Sequence, residues 1–217
     1  FPSFSLEDYS PVTEIWNQID LAAVCREFMN EDQKFWLLDG KSGSEKIIIY
    51  VNSVENLSTN KAVFAEELLK RWRREVDSPI TIGTSSHITI EEINTNAQML
   101  RARLYRKISI GISQIFMLSQ PIDTAHDISK MDSFTEKKLQ LALHQNGFEP
   151  FLDVLHSLIE QWKTLKPRQY EVEKILQQIA GFCQRSLHNP SQYFTHFFEY
   201  DLNQAILNAN TYDQLFK

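Results

Sequence analysis

The spacing of apolar residues separates the chain into two halves of different character. In the first half, short β-branched runs alternate with helical patterns, in the predicted order α-β-β-α-β-α-β. From Met131 onward the spacing is helical. Pro121 interrupts the first pattern, so we predict an α/β domain with an N-terminal helix over residues 1–121 and a helical segment over residues 122–217.

The stretch from Pro79 to Leu118 predicts two strands joined by a helix. Ile80–Ile82 forms the first strand, which Gly83 closes, and Ile112–Leu118 forms the second. Gly111 is expected to end the helix between them. Apolar residues recur at spacings of three and four on one face of that helix: Ile90, Ile93, Ala97, Leu100, Leu104 and Ile108. Such a unit favours a helix packed across a sheet.

A hairpin and a second helix are predicted upstream of this stretch. Phe35–Leu38 and Lys46–Val51 read as strands on either side of a Gly/Ser-rich turn. The helix covers Asn60–Val76, with Trp72 directed at the core. We attribute the basic residues at its C-terminal end to stabilisation of the helix and not to nucleic-acid binding, because cations at that end interact favourably with the helix dipole.

A Ser-Pro pair at positions 10 and 11 predicts the start of an N-terminal helix that ends near residue 30. Its apolar stripe includes Ile15, Trp16 and Ile19. Two interpretations carry equal weight at this point. The stripe either contacts an upstream domain of a longer protein or packs on the sheet of its own domain.

Three helices are predicted in the second half. The first begins at the capping box Ser133-x-x-Glu136, the second stops at Pro167, and the third stops before residue 189. Short loops between such helices favour antiparallel neighbours, so we predict a small helical bundle.

Two features follow the predicted bundle. An aromatic-rich segment around Phe197 either binds a partner or, as we favour, closes the bundle. The pattern Thr211-x-x-Gln214 then predicts another helix start. Because the chain ends there and begins at Phe1 without a methionine, we expect it to be the middle of a longer protein.

The central stretch also carries a family resemblance. Thr81-Ile82-Gly83 stands at a strand end and is followed by Ala97, Leu104, Tyr105, Lys107 and Gly111. This pattern resembles the C-terminal part of a GGDEF-type nucleotide-cyclase fold. Over residues 35–118, and in element order over 130–217, the chain is more similar to the degenerate GGDEF-like module and helical segment of AraC-type two-component response regulators of the YesN kind. The resemblance implies an α+β fold followed by a helical bundle that leads to a missing helix-turn-helix domain.

The predicted hairpin turn lacks the signature of an active cyclase. The resemblance places Gly-Gly-Asp/Glu-Glu-Phe there, whereas this chain has only Asp39 and Glu45 flanking the turn at a different spacing. The turn contains Gly40-Lys41-Ser42, but a phosphate-binding loop needs a further glycine where Phe35 stands. We therefore predict no catalytic, cofactor-binding or metal-binding residues.

Composition restricts the other possibilities. The 217 residues carry a formal net charge of −6, which disfavours direct DNA binding, and their 42% hydrophobic content can form a core. No apolar run is long enough to span a bilayer, so we expect no membrane partner and a cytoplasmic location. Cys25 and Cys183 are expected to be buried free thiols. The six histidines form no metal-binding motif.

Three functional hypotheses follow, in order of preference. The first is a non-catalytic connector that couples an upstream receiver domain to a downstream helix-turn-helix of the same parent chain, with a homodimer as the working form and DNA bound only through the missing domain. Its interaction surface would comprise Ile15, Trp16, Ile19 and Phe197. The second is a small-molecule or nucleotide sensor, which should show converging polar groups at the turn between Asp39 and Glu45. The third, an active cyclase, is disfavoured by the turn sequence.

Overall fold

The computed structural model describes residues 15–28, 34–40, 45–51, 60–121, 131–144, 148–186 and 211–216. The chain forms two compact units, residues 1–121 and residues 122–217. Unit 1 contains helices and strands, and the described part of unit 2 is helical. The α+β class predicted from the sequence is therefore confirmed, whereas its GGDEF-like identity stays a prediction.

The predicted hairpin is confirmed. Strand β1 (Lys34–Asp39) pairs antiparallel with β2 (Lys46–Val51), so that Leu37 lies opposite Ile48. Both of these residues pack against the core of unit 1, which leaves the alternate residues on the other face of the hairpin.

The strand–helix–strand unit is also confirmed. Strand β3 (Thr81–Thr84) pairs in parallel with β4 (Gln114–Met117). A parallel pair requires a crossover, which here consists of a 3₁₀ turn (Ile90–Glu92) and a helix that packs on β3. In the described part of the chain, the hairpin and this parallel pair are separate two-stranded sheets.

The glycines of this unit have different roles from those predicted. Gly83 lies inside β3, where a Cβ atom would be 2.6 Å from Cζ of Phe116 and 3.2 Å from Cδ2 of Leu100. Gly111 does not end the helix, which already ends at Lys107. The next residue, Ile108, has a non-helical ψ of 128° and is buried. Gly111 instead supplies a positive φ of 73° in the turn before β4.

The N-terminal helical region is interrupted. The single helix predicted from position 10 to about 30 is wrong in its described part, since a helical turn at residues 15–17 is followed by a break and then by α1 (Leu21–Glu27). Asp20 caps α1 by accepting a 2.9 Å hydrogen bond from the backbone N of Ala23. Residues 10 and 11 lie outside the described residues.

The core of unit 1 is built around Trp72. Helix α2 (Asn60–Glu75) carries Trp72, which is fully buried and donates a 2.6 Å hydrogen bond from Nε1 to the backbone O of Ser78. The ring of Trp16 packs edge-on against it, with 5.0 Å between centroids. The other buried members of this cluster are Ile19, Leu21, Val24, Leu68, Val76 and Ile80. The predicted core role of Trp72 is confirmed.

Helix α3 (Ile93–Lys107) forms the crossover between β3 and β4. The described part of unit 2 contains three further α-helices: α4 (Ser133–His144), α5 (Phe148–Leu165) and α6 (Gln169–Ser186). The three predicted helices are confirmed. Helix α4 contacts both α5 and α6, and Pro167 lies in the turn between α5 and α6. None of the helices that the structure describes has the length and apolar character needed to span a lipid bilayer.

The helix start predicted at Thr211 is a 3₁₀ helix, Tyr212–Phe216. Tyr212 is buried and donates a 3.0 Å hydrogen bond from its hydroxyl to the backbone O of Pro167. Burial raises the pKa of the Tyr212 phenol to about 12. The backbone N of Thr211 donates to Oε1 of Gln214 at 3.2 Å, as the capping pattern predicts.

The N-terminus of α4 is capped by Asp132, and the predicted cap at Ser133 is wrong. Oδ1 of Asp132 accepts hydrogen bonds from the backbone N atoms of Phe134 and Thr135, both at 2.9 Å. Its Oδ2 accepts a 2.6 Å bond from the Thr135 hydroxyl. The bond from the Thr135 hydroxyl contributes most to holding the pKa of Asp132 below its usual range, and the backbone donors add to it.

We predict that Asp132→Ala lowers the free energy of unfolding of unit 2 by about 1 kcal/mol at neutral pH, whereas Ser133→Ala changes it little. Because the folded-state pKa is depressed, the stabilisation is present above the ordinary carboxyl pKa and is lost as the pH falls through the folded-state value. Urea unfolding followed by hydrogen exchange on α4 peptides at neutral and acidic pH measures both effects. A larger effect of Ser133→Ala would contradict the assigned cap.

We also predict that Trp72→Ala destabilises unit 1 by about 3–5 kcal/mol, because it leaves a large cavity in the core. Trp162→Ala in α5, where Trp162 is equally inaccessible, is the matched change in unit 2. Hydrogen exchange resolved by peptide should show lost protection in residues 15–121 for the first variant and in residues 131–186 for the second. Equal loss in unit 1 for both variants would contradict the assignment of Trp72 as its centre.

Candidate functional site

The hairpin turn, which the sequence singled out as the discriminating feature, is closed by backbone and ionic contacts. The backbone N of Gly40 donates a 2.9 Å hydrogen bond to the backbone O of Glu45. Asp39 forms an ion pair with Lys46, directly opposite it in the strand register. The turn is therefore held at its base by one backbone bond and one ion pair.

Glu45 connects the turn to α3. Nε of Arg101 lies 2.8 Å from both Oε1 and Oε2 of Glu45, although 56 residues separate the two in sequence. Glu45 is only 9% exposed, so its carboxylate relies on this partner in place of water. The hydrogen bond to Glu45 raises the pKa of Arg101 above its ordinary value.

Gly40 makes room for the Glu45 side chain. A Cβ atom at position 40 would lie 2.7 Å from Cβ of Glu45 and 2.8 Å from its Oε2. Any larger residue would have to displace the carboxylate that Arg101 binds. Gly40, Glu45 and Arg101 therefore act together, and we refer to them as the hairpin lock.

The sequence-predicted residues at the turn thus have structural partners. Asp39 and Glu45, the two acids that flank the turn, contact Lys46 and Arg101. Within the described residues, no group of three or more His, Cys, Asp or Glu side chains is arranged to hold a metal ion. The sequence analysis identified both acids, but nothing in the sequence near Arg101 indicated that it would bind Glu45.

The N-terminal candidate residues lie in the core of unit 1. Ile19 is buried, and Ile15 and Trp16 are half-buried against the same cluster. Nζ of Lys46 lies 5.9 Å from the centroid of the Trp16 ring, so the N-terminal helical turn also contacts strand β2 of the hairpin. These contacts favour the interpretation in which the stripe packs on its own domain, and its role as an interaction surface stays a prediction. Phe197 lies outside the described residues.

Several basic residues of α2 and α3 form contacts within unit 1. Arg71 pairs with Glu27 and Glu75, and Arg73 donates a 3.0 Å bond to the backbone O of Ser113. On α3, Arg103 donates to the backbone O of Gln120. These basic residues therefore have partners within unit 1, and their presence needs no nucleic-acid ligand to explain it.

Both cysteines are free and buried, as predicted. Burial raises the pKa of Cys25 and of Cys183 to about 11 in each case. At neutral pH these thiols are protonated, which makes them poor nucleophiles.

A groove that the sequence did not indicate lies in unit 2, lined by residues at the start of α4 and along α6. Its volume is about 180 Å³, and opposite charges line it at Glu136 and Arg185. The backbone N of Met131 donates a 3.2 Å bond to Oε1 of Gln178 at its edge. The volume is below that of a typical small-molecule site, which is about 300–1,000 Å³.

Comparison with protein-family models, with curated proteins and with solved structures finds no match for this chain.

We predict that Arg101→Met destabilises unit 1 by about 1–3 kcal/mol, because it leaves the Glu45 carboxylate buried without its partner. Arg106→Met is the matched control, since Arg106 is exposed on the same helix, and it should change stability by less than about 0.5 kcal/mol. Urea unfolding gives the overall effect, and hydrogen exchange over residues 34–51 should show faster opening of the hairpin only for Arg101→Met. Equal effects of the two variants would argue against the hairpin lock.

Proposed function

We propose that this chain is a non-catalytic connector of an AraC-type two-component transcriptional regulator. In this proposal it couples an upstream receiver domain to a downstream helix-turn-helix of the same parent chain and works as a homodimer. The degenerate GGDEF-like module that it resembles would correspond to unit 1, and the helical segment to unit 2.

The hairpin lock is the observation that carries the proposal. In a cyclase of the resembling fold, carboxylates at this turn hold the metal ion and glycines admit the nucleotide. Here the Glu45 carboxylate is bound to Arg101 and fills the space above Gly40. Metal binding by Glu45 would require breaking a contact on which its burial depends, so the turn is better suited to holding a hairpin than to catalysis.

The division into two compact units supports a mechanical role. Coupling between domains requires elements with two discrete packings, which two compact units of one chain could provide. In the proposed mechanism, phosphorylation of the receiver shifts the packing of these units and thereby the relative position of the two DNA-binding domains in the dimer.

The groove of unit 2 favours a second candidate function, that of a small-molecule sensor. Glu136 and Arg185 line a small space with opposite charges, which would suit a zwitterion smaller than a nucleotide. This candidate relocates the sensor site from the hairpin turn, where the sequence hypothesis placed it, to the bundle.

The first test of the connector is sedimentation velocity of the chain alone, with GTP and Mg²⁺, and with ATP and Mg²⁺ as the matched control. We expect a dimer whose mass and shape are indifferent to either nucleotide, since the turn carboxylates are already paired. A change that depends on GTP would overturn the proposal and indicate a working nucleotide site. A monomer indifferent to nucleotide would reduce the chain to a spacer and contradict its role in dimerisation.

A further inference from the structure

The N-terminal apolar stripe of unit 1 is buried by a chain that breaks. The stripe comprises Ile15, Trp16 and Ile19, whose spacing is that of one helical face, yet the helical turn at residues 15–17 ends and residues 18–20 are not helical. Asp20 then caps α1, so a side chain stabilises the end of the break. The sequence pattern and the observed backbone therefore disagree at residues 18–20.

The break allows two apolar faces to be buried in the same unit. The buried residues of α1 are Leu21, Val24 and Cys25. In an uninterrupted helix, at roughly 100° per residue, their mean direction would lie roughly 180° from that of the stripe. One straight helix could therefore bury either set in unit 1 but not both. With α1 in its present place, the stripe of such a helix would face away from the core.

The docked stripe contains an unsatisfied polar group. Nε1 of Trp16 is buried without a hydrogen-bond acceptor among the residues that the structure describes, although the Trp16 ring packs on that of Trp72. A buried donor without a partner destabilises the conformation that holds it, and this one would reach water if the stripe turned outward. Apolar burial thus favours the docked stripe, and the indole N–H opposes it.

We infer that residues 18–20 are a switch between two conformations of the N-terminal segment. In the docked conformation, which is the one described above, the chain breaks and the stripe packs on unit 1. In the straight conformation the helix continues through residues 18–20 into α1, α1 keeps its place, and the stripe faces away from unit 1. The switch deepens the proposed function and rests on it for its role, since a connector needs an element with two discrete packings.

The two conformations differ in contacts that reach the hairpin. Turning the stripe outward separates the Trp16 ring from Nζ of Lys46, which lies 5.9 Å from its centroid in the docked conformation. Lys46 also pairs with Asp39 at the base of the hairpin turn, so the switch would change the surroundings of that ion pair. Because docked Ile19 is only 4% exposed, the straight conformation should be the minor one in the isolated chain.

The test is thiol labelling of the full chain carrying Ile19→Cys, with the native Cys25 as an internal control. Cys25 is buried on α1, so both conformations protect it and only wider unfolding exposes it. We expect the introduced thiol to react with a maleimide at least about tenfold faster than Cys25, as mass spectrometry of the separate peptides can show. Equal rates would mean that the two positions open together and would overturn the inference.

Two further changes distinguish the switch from fraying of the N-terminal helical turn. Asp20→Ala removes the cap and should speed labelling at position 19 about fivefold with Cys25 unchanged, whereas Asp20→Ser retains a capping side chain and should not. Gln18 is exposed, and Gln18→Gly should slow labelling about fivefold because glycine disfavours a continuous helix. Fraying predicts faster labelling for Gln18→Gly, since glycine loosens the chain. That result, or no change with Asp20→Ala, would contradict the switch.

Ile15→Cys supplies a second probe should Ile19→Cys not fold, because Ile15 belongs to the stripe and is half-buried. Circular dichroism shows which variants are folded, and the same order of rates is expected. A monomeric chain in the sedimentation experiment, with fast labelling at the stripe, would refute the connector and leave the switch standing. A dimer indifferent to nucleotide in which stripe and Cys25 are labelled at equal rates would refute the switch alone.

Discussion

Two kinds of contact hold the hairpin in unit 1: Leu37 and Ile48 pack on the core, and the ion pair between Glu45 and Arg101 joins the turn to the crossover helix α3. The hairpin belongs to one sheet and α3 connects the two strands of another, so in the described residues no strand pairing holds these parts together. A carboxylate that is largely removed from water must keep its partner, and this requirement fixes the turn against α3. Gly40 permits the close approach that the contact needs.

Local patterns predicted most of the elements and missed the contacts between them. The hairpin and the helices α2 to α6 follow from apolar periodicity, which reports the geometry of the local backbone. The break before α1 was not predicted, although Asp20, which caps α1, is a local signal for a helix start. Ile19 lies within the break and is buried, so the apolar stripe was compatible with a continuous helix. Ile108 was predicted to lie on the helical face of α3, whereas it follows the end of that helix and is buried.

The hairpin lock could not be predicted from the sequence. A glutamate next to a Gly/Ser turn reads as a solvated residue, and an arginine on a helix reads as surface charge. Only the folded chain brings Glu45 and Arg101 together, and the burial of one by the other is a long-range effect. For Trp16 the sequence left two interpretations open, contact with an upstream domain or packing in the core. Its contact with the Trp72 ring favours the second.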